Sequence, residues 1–558
     1  MNLIDEVRLA DERCDTAVVA IRSPEELTAK QAEWRAAWLD AMGGLPAERT
    51  PLNARVAGVV ECDGFRMENI VFESLPGVFV TAHRALPSSP AFQPPYPVVL
   101  MPLGHSTIAL RRPFYAELFA MAARAGFAVL TWDPPSQGER RQCEPQFDDS
   151  FEDCAIEHTR LGARGWLVGW NFARFLLWDA IRAIDYAETR PDLDCSRLGV
   201  MGTSGGGTMS VYLQALDPRV KTAFPNCYVS SLREVLAERG CHDSEQFFWN
   251  QLGIGVNHAA MLVLGQPRVA LAIGSRYQDY FPHAGAVATY ALVADLAGRL
   301  GFPGPFWHFH CDGEHGLPPP TRAAQVDWMR HRILGAEPPG PLADYQSLGG
   351  VKGDDPAADK PLPFPGDALD CTATGQVRDI PGFRSLYALL ADRAAELART
   401  RRPKSREELR EIVRRRAGIR PLAELSADVQ PPFDHPNFDW WYLDGARGRR
   451  RENEAAMMAT LGRSVVGRDA ENILIRAAAS RAAGGAPVPL VASGWDCIAA
   501  AHAYAAEPQL FSSVEFTAPP PSWTKLVEDQ TPGRESYAVA VWGALEDYDW
   551  PDLVKDAP

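Results

Sequence analysis

Two hydrophobic periodicities divide the chain. Up to about residue 50, apolar positions recur at helical spacing, most clearly over 34–42, and predict helices ahead of any sheet. Alternation with period two takes over across 65–86, where Ile70, Phe72, Val78, Val80 and Ala82 predict a hairpin turning near Pro76-Gly77. From Tyr96 the pattern changes to short continuous apolar runs separated by helical stretches. Strands are predicted from Tyr96 to a break at Gly104, and over 128–132, 198–201, 222–228, 268–275 and 305–312. Helices are predicted over about 114–125, 167–189, 208–216 and 285–300. Strand alternating with helix in this way implies an α/β fold with a mostly parallel, doubly wound sheet that binds ligands at the carboxyl ends of its strands. Two stretches, 134–165 and 230–266, fall outside the alternation and are read as insertions at that edge.

The pattern then breaks. Residues 335–366 are rich in Pro, Gly and Asp and mark a boundary that wraps or tethers. Two helical patterns follow over 381–417, broken at Pro403, and the basic run around 410–416 is expected to be a solvated helix face. The division expected is a helical segment at 1–50, a main α/β domain at 51–338, a linker at 339–375 and a smaller, incomplete α/β domain at 376–558.

Composition narrows the classes. The chain of 558 residues is 46% hydrophobic and 23% charged, as soluble globular proteins are, and is long enough for two cores. A net charge of -15 disfavours nucleic acid or an anionic membrane as partner. The first residues carry charges where a secretory signal would be apolar, and no apolar run of about 18 residues occurs. The ten cysteines lack regular spacing and suit reduced thiols. A cytoplasmic location is expected.

Chemistry concentrates at Gly202-Thr203-Ser204-Gly205-Gly206, between a buried strand and a helix. G-x-S-x-G in a strand, turn and helix is a nucleophile elbow, the hallmark of the α/β-hydrolase fold. Its glycines let strand and helix pack around a strained turn, and the helix N-terminus offers N–H groups to a developing oxyanion. In this fold the acid and then the histidine follow the serine along the chain, which selects Asp279 and His315, each just past a predicted strand. His315 would serve as general base and Asp279 would fix its tautomer, with Asp312 as the competing acid. The oxyanion donors expected are the N–H of Gly205 and one from the loop Gly104-His105-Ser106, where His105 is favoured and the flanking residues would contact substrate. A metal site built from His308, His310, Cys311 and His315 is weighed against strand histidines packed under helices, and the packing reading is preferred.

Several runs resemble the acetyl-xylan-esterase-like branch of the α/β-hydrolases. They are Glu157-His-Thr-Arg-Leu-Gly162, Trp178-Asp-Ala-Ile-Arg-Ala-Ile-Asp-Tyr186, Arg190-Pro191, Ser204-Gly-Gly-Gly-Thr208, Ala215-Leu-Asp-Pro-Arg219, His242-Asp-Ser-Glu-Gln246 and Asp279-Tyr-Phe-Pro282. Residues 133–140 are similar to a further loop of that branch, with Ser136 where glycine is usual. The resemblance spans roughly 55–335 and implies hydrolysis of a small-molecule carboxylic ester, with no metal or organic cofactor; it does not imply xylan. An amidase with the same residues, and a binding protein with an idle site, remain open. The insertions carry Phe147, Phe151, His242, Phe247, Phe248 and Trp249, which either line a pocket of modest size or pack the cap on the body. Glu157 and His158 would either bind substrate hydroxyls or form a structural hydrogen bond.

An offset of 290 places residues 488–493 on the elbow strand and Gly494 on Ser204. The second unit is therefore expected to be a degenerate partial copy that catalyses nothing, since its nucleophile position is glycine and His502 is the last histidine. Its incomplete sheet is expected to dock on the first domain or on another subunit.

Overall fold

Nine strands form one sheet in the order β1-β2-β3-β5-β4-β6-β7-β8-β9. They are β1 (Arg55–Cys62), β2 (Phe65–Leu75), β3 (Val78–Pro87), β4 (Tyr96–Leu100), β5 (Ala128–Trp132), β6 (Leu193–Thr203), β7 (Thr222–Asn226), β8 (Ala270–Gln278) and β9 (Trp307–Glu314). This computed structural model describes residues 2–143, 151–240, 243–302, 306–349, 361–425, 446–529 and 536–558. The first three strands are antiparallel neighbours, and the six from β4 to β9 pair in parallel. Strand order reverses at β4, which lies between β5 and β6, and the chain emerging there borders the crevice where such sheets bind ligands.

Helices cover both faces. The helix Pro24–Ala41 buries Trp34 and Trp38, and Trp38 meets Tyr212 edge-on at 4.8 Å, holding the N-terminal segment against the helix Gly205–Leu216. The helix Ala173–Glu188 is buried almost all round, and its Trp178 Nε1 donates to the Ser74 carbonyl at 2.8 Å. Among the described residues, no helix is long and apolar enough to cross a membrane.

Three local expectations are corrected. The strand β1 is not predicted by the pattern, because it is a half-exposed edge strand whose apolar Val56 and Val59 face solvent. Part of the insertion expected over 134–165 is the helix Phe151–Leu167, and a second helix begins only at Ala173, after Gly169 adopts a φ of 75°. Glycine inside a helix costs about 1 kcal/mol relative to alanine, so Gly162 and Gly165 argue for a loop. Packing requires them instead: a Cβ on Gly162 would lie 1.8 Å from the Tyr537 hydroxyl, and one on Gly165 would lie 2.4 Å from the Trp170 carbonyl. The third correction concerns the basic run. Arg410 and Arg414 both pair with Glu507, and Arg416 pairs with Glu546 and Asp547, so one face of the helix Arg406–Ala417 is an ion-paired seam.

The linker wraps. Cys371 and Thr372 donate their N–H groups to the buried Glu139 carboxylate at 2.6 and 2.8 Å, and the Val377 N–H reaches the Glu139 carbonyl at 2.8 Å. Beyond it, β10 (Val488–Ser493) and β11 (Phe511–Thr517) pair in parallel as a separate two-stranded sheet, joined by the helix Asp496–Ala506. The described residues from 446 onward seat against the main sheet domain: Trp166 is ringed by Tyr537 at 4.5 Å and Trp542 at 5.9 Å, and the Gly543 N–H donates to the Trp166 carbonyl at 2.7 Å. Two more backbone bonds, from Asn250 to Ala459 and from Leu252 to Thr460, cross the same seam.

Candidate active site

Strand register assembles the site. Thr203 at the end of β6 is opposite Asn226 on β7, Asn226 is opposite Gly274 on β8, and Gln278 at the end of β8 is opposite Glu314 at the end of β9. The residues that follow these ends, Ser204, Cys227, Asp279 and His315, therefore leave the sheet along one edge. Both β8 and β9 run further than the sequence pattern indicates, so Asp279 and His315 follow their strands directly.

Ser204 has φ 60° and ψ -125°, a conformation rarely adopted by residues with a side chain and costing of order 1–3 kcal/mol. Close packing holds it there. A Cβ on Gly202 would lie 2.4 Å from the Gly206 carbonyl, and one on Gly206 would lie 2.1 Å from the Pro102 carbonyl, so both positions of the elbow require glycine. The Ser204 N–H donates to the Asn226 carbonyl at 3.0 Å, while the Asn226 amide and the Cys227 thiol donate to the Gly316 carbonyl at 3.3 and 3.4 Å. The end of β7 thus ties the serine turn to the His315 loop.

His315 Nδ1 lies 2.7 Å from Asp279 Oδ1, and that oxygen also accepts the Phe281 N–H at 3.0 Å. The Asp279 side chain is fully buried, whereas that of His315 is 28% exposed. Burial alone would raise the Asp279 carboxyl. The charge and hydrogen bond of His315, with smaller help from the Cys227 thiol and the Phe281 N–H, outweigh burial and hold it below its ordinary value. Asp312 is exposed, and its carbonyl accepts from Arg276 at 2.8 Å.

The loop after β4 borders the serine turn. A Cβ on Gly104 would come within 3.0 Å of Ser204 Cβ, and one on Gly205 would come within 3.3 Å of the His105 ring. The Gly104 N–H donates to the Tyr115 hydroxyl at 2.9 Å and the Ser106 N–H donates to Gln137 Oε1, which fixes the loop on both sides of His105. Gly205 opens its helix, so its N–H has no intrahelical acceptor. A small cavity lies alongside, bordered by His105, Trp132, Leu176, Gly205 and Met209.

The His105 ring, beside Gly205, belongs to a buried group of two histidines and two carboxylates. His105 Nε2 is 2.6 Å from Asp243 and 3.3 Å from Glu245; His158 Nδ1 is 3.0 Å from Asp243 and 3.7 Å from Glu245. Burial would lower both imidazoles, but the carboxylates prevail, raising His158 and taking His105 to about 10. Asp243 is held down by the two imidazoles against its burial, while burial and the Asp243 charge push Glu245 up. Neither Asp243 nor Glu245 is singled out by motif, although both lie in the 242–246 run that carries the family resemblance.

The remaining candidates fall elsewhere. Glu157 is buried, accepts the Gln142 N–H at 3.4 Å and lies 2.8 Å from the Cys143 thiol. Trp249 packs edge-on against Trp166, 5.9 Å away, at the seam with the C-terminal unit, and Phe247 packs there too. Phe248 stacks on Trp38. Phe147, His242 and the Phe151 side chain lie outside the described residues. His308 Nε2 is engaged by Ser275 Oγ and His310 Nδ1 by the Tyr277 hydroxyl, each at 2.7 Å, and burial lowers the His308 imidazole to about 3.

The elbow, the strand order and the acid-then-histidine succession define an α/β-hydrolase fold. Comparison with solved structures agrees: the chain is similar to methylesterase BT1017, with 17% identity, a TM-score of 0.52, and coverage of 70% of this chain and 81% of that one. A glucuronoyl esterase from Solibacter usitatus is matched at 16% identity and a TM-score of 0.43, over 57% of this chain and 97% of that one. Among curated proteins, the "Putative hydrolase YtaP" of Bacillus subtilis (strain 168) is 25% identical over 219 residues, 35% of this chain. The match spans 64% of that relative's length. No family model matches.

Proposed function

We propose that the chain hydrolyses a carboxylic ester of small acyl size through a Ser204, His315 and Asp279 triad and an acyl-enzyme. The observation that carries this is the placement, at one edge of the sheet on the ends of β6, β8 and β9, of a strained serine turn and a histidine hydrogen-bonded to a buried carboxylate. Asp279 accepts from His315 Nδ1, which leaves Nε2 as the base that removes the Ser204 proton. Attack on the ester carbonyl places negative charge on its oxygen, beside the Gly205 N–H and the backbone of His105, which serve as the oxyanion donors. His315 then returns the proton to the departing alcohol, and water repeats the sequence to release the acid. The restricted cavity beside Gly205 favours a short acyl group. The names of the similar proteins, a hydrolase and a methylesterase, support the same reaction class.

A fluorophosphonate probe tests the reading. Wild-type protein should become labelled on Ser204, and Ser204→Ala should lose both the label and several orders of magnitude in turnover across a panel of acetyl, longer acyl and aryl esters. Absence of label on folded protein would favour an idle site, and turnover confined to amides would move the assignment to amidase.

A further inference from the structure

The geometry points to a closed divalent-cation site, suited to zinc, formed by His105 Nε2, His158 Nδ1 and one oxygen each from Asp243 and Glu245. These donor atoms all lie within 4.8 Å of one another, and the four nitrogen-to-oxygen edges are 2.6 and 3.0 Å from His105 Nε2 and His158 Nδ1 to Asp243 Oδ2, and 3.3 and 3.7 Å from the same nitrogens to Glu245 Oε1 and Oε2. Ligand bonds of about 2.0 Å in tetrahedral geometry place neighbouring donors about 3.3 Å apart, and the four edges bracket that value. Imidazole nitrogen with carboxylate oxygen is a donor set zinc accepts.

A second observation points to the ion independently. Glu245 is fully buried and neither of its carboxylate oxygens has an aligned hydrogen bond. A buried carboxylate paired this weakly, with His105 Nε2 3.3 Å from Oε1, is costly by several kcal/mol unless a cation completes it. His158 supplies a third. Its Nε2 lies 3.0 Å from the Pro135 carbonyl, so Nε2 carries the proton and, in a neutral ring, Nδ1 presents its lone pair to the carboxylates. Metal-bound histidines are commonly oriented by such a carbonyl. Charge also balances: a 2+ ion with two neutral imidazoles and two carboxylates leaves no net buried charge.

Four protein ligands make a structural site with no open position. They come from the loop after β4, from the helix Phe151–Leu167 and from the segment 243–246, which is itself fixed to the helix Gly205–Leu216 by Tyr212 donating to the Glu245 carbonyl at 2.6 Å and by Gln246 donating to Thr208 at 3.1 Å. The ion would therefore clamp the His105 loop against the serine turn. His105 and its three partners act on the ester site by positioning. Binding of the ion does not depend on the ester reading; only its effect on turnover does.

Zinc is the probe. Full-length protein stripped with dipicolinate and dialysed free of metal should rebind one zinc per chain, measured by elemental analysis, with a higher Tm. Asp243→Asn and Glu245→Gln should each weaken zinc binding by more than the roughly 10- to 100-fold typical of losing an outer partner, while Ser204→Ala keeps full occupancy. Failure of the wild-type chain to retain zinc, with no change in Tm, would overturn the site and leave a ring of two imidazoliums neutralising two carboxylates. Retention by both variants would overturn it equally, placing the ion elsewhere.

Discussion

Asp279 and Asp312 sit near the same histidine, yet one amide substitution should separate them. In Asp279→Asn the side-chain amide faces His315 Nδ1, and a donor there favours the tautomer that leaves Nε2 protonated and unable to act as base. Turnover of a small aryl ester should fall by about 10⁴-fold while folding is retained. Asp312→Asn changes an exposed side chain and should stay within about twofold of wild type. Reversed outcomes would move the acid to Asp312. The triad residues are legible in the sequence because chemistry ties each to a local signal: a glycine-rich elbow for Ser204, and a strand end in the correct order for Asp279 and His315. Asp243 and Glu245 have no such signal. Their roles arise from contact with His105 and His158, the nearer of which in sequence is 85 residues from Asp243, and only tertiary packing creates that contact.

At the level of elements, the alternating apolar runs identify the parallel strands, because burial on both faces leaves a continuous signal. The helix Phe151–Leu167 escapes detection because its glycines serve close contacts, Gly162 with Tyr537 of the C-terminal unit and Gly165 with the Trp170 carbonyl. The segment 133–140 between them is neither strand nor helix, and a buried carboxylate organises it. Asp133 Oδ2 accepts from Thr81 Oγ1 at 2.7 Å and from the Glu139 N–H at 3.0 Å, while Arg140 bonds the Asp133 carbonyl at 2.8 Å and Asp179 at 2.7 Å. Burial first, and then the Glu139 charge, raise the Asp133 carboxyl to about 6 despite those hydrogen bonds. A carboxyl raised on folding contributes stability that is present below its unfolded value and is lost as pH rises to its folded one. The loss falls between about pH 4 and 6 and amounts to at most about 3 kcal/mol. Asparagine can accept the same two hydrogen bonds without ionising. Asp133→Asn should therefore gain on wild type by about 2–3 kcal/mol between pH 4 and 7, read from denaturant midpoints at each pH. Parallel stability profiles for the two proteins would show that Asp133 ionises at the same pH in the folded and unfolded chain, so that burial does not raise it.

For the whole molecule, the question is what residues 446–558 do for the sheet they lean on. Their strand, turn, helix and strand repeat the order around Ser204, and Gly494 has a φ of 56° where Ser204 has 60°. A turn stands at the same place in that order, but it holds glycine. His502 is buried, bonded to the Ile498 carbonyl at 2.7 Å and the Tyr548 hydroxyl at 3.0 Å, and burial lowers its imidazole to about 4, so it is occupied in packing. The unit instead completes a shared core, since Tyr537 and Trp542 close over Trp166 and Tyr537 lies 5.3 Å from Phe247. Trp166 belongs to the helix Phe151–Leu167, which also carries His158. Removing the cover should therefore loosen the helix that supports the His105 loop, as well as exposing aromatic surface. A fragment of residues 1–340 should be poorly soluble and, where soluble, should lose most esterase turnover and near-ultraviolet circular dichroism. Tyr537→Ala in the full chain is the gentler version, with an expected cost of about 3–5 kcal/mol, as for other large buried aromatics. A fragment that is monomeric and as active as the full chain would show that the second unit is dispensable to the site, and the coupling through Trp166 would fall with it.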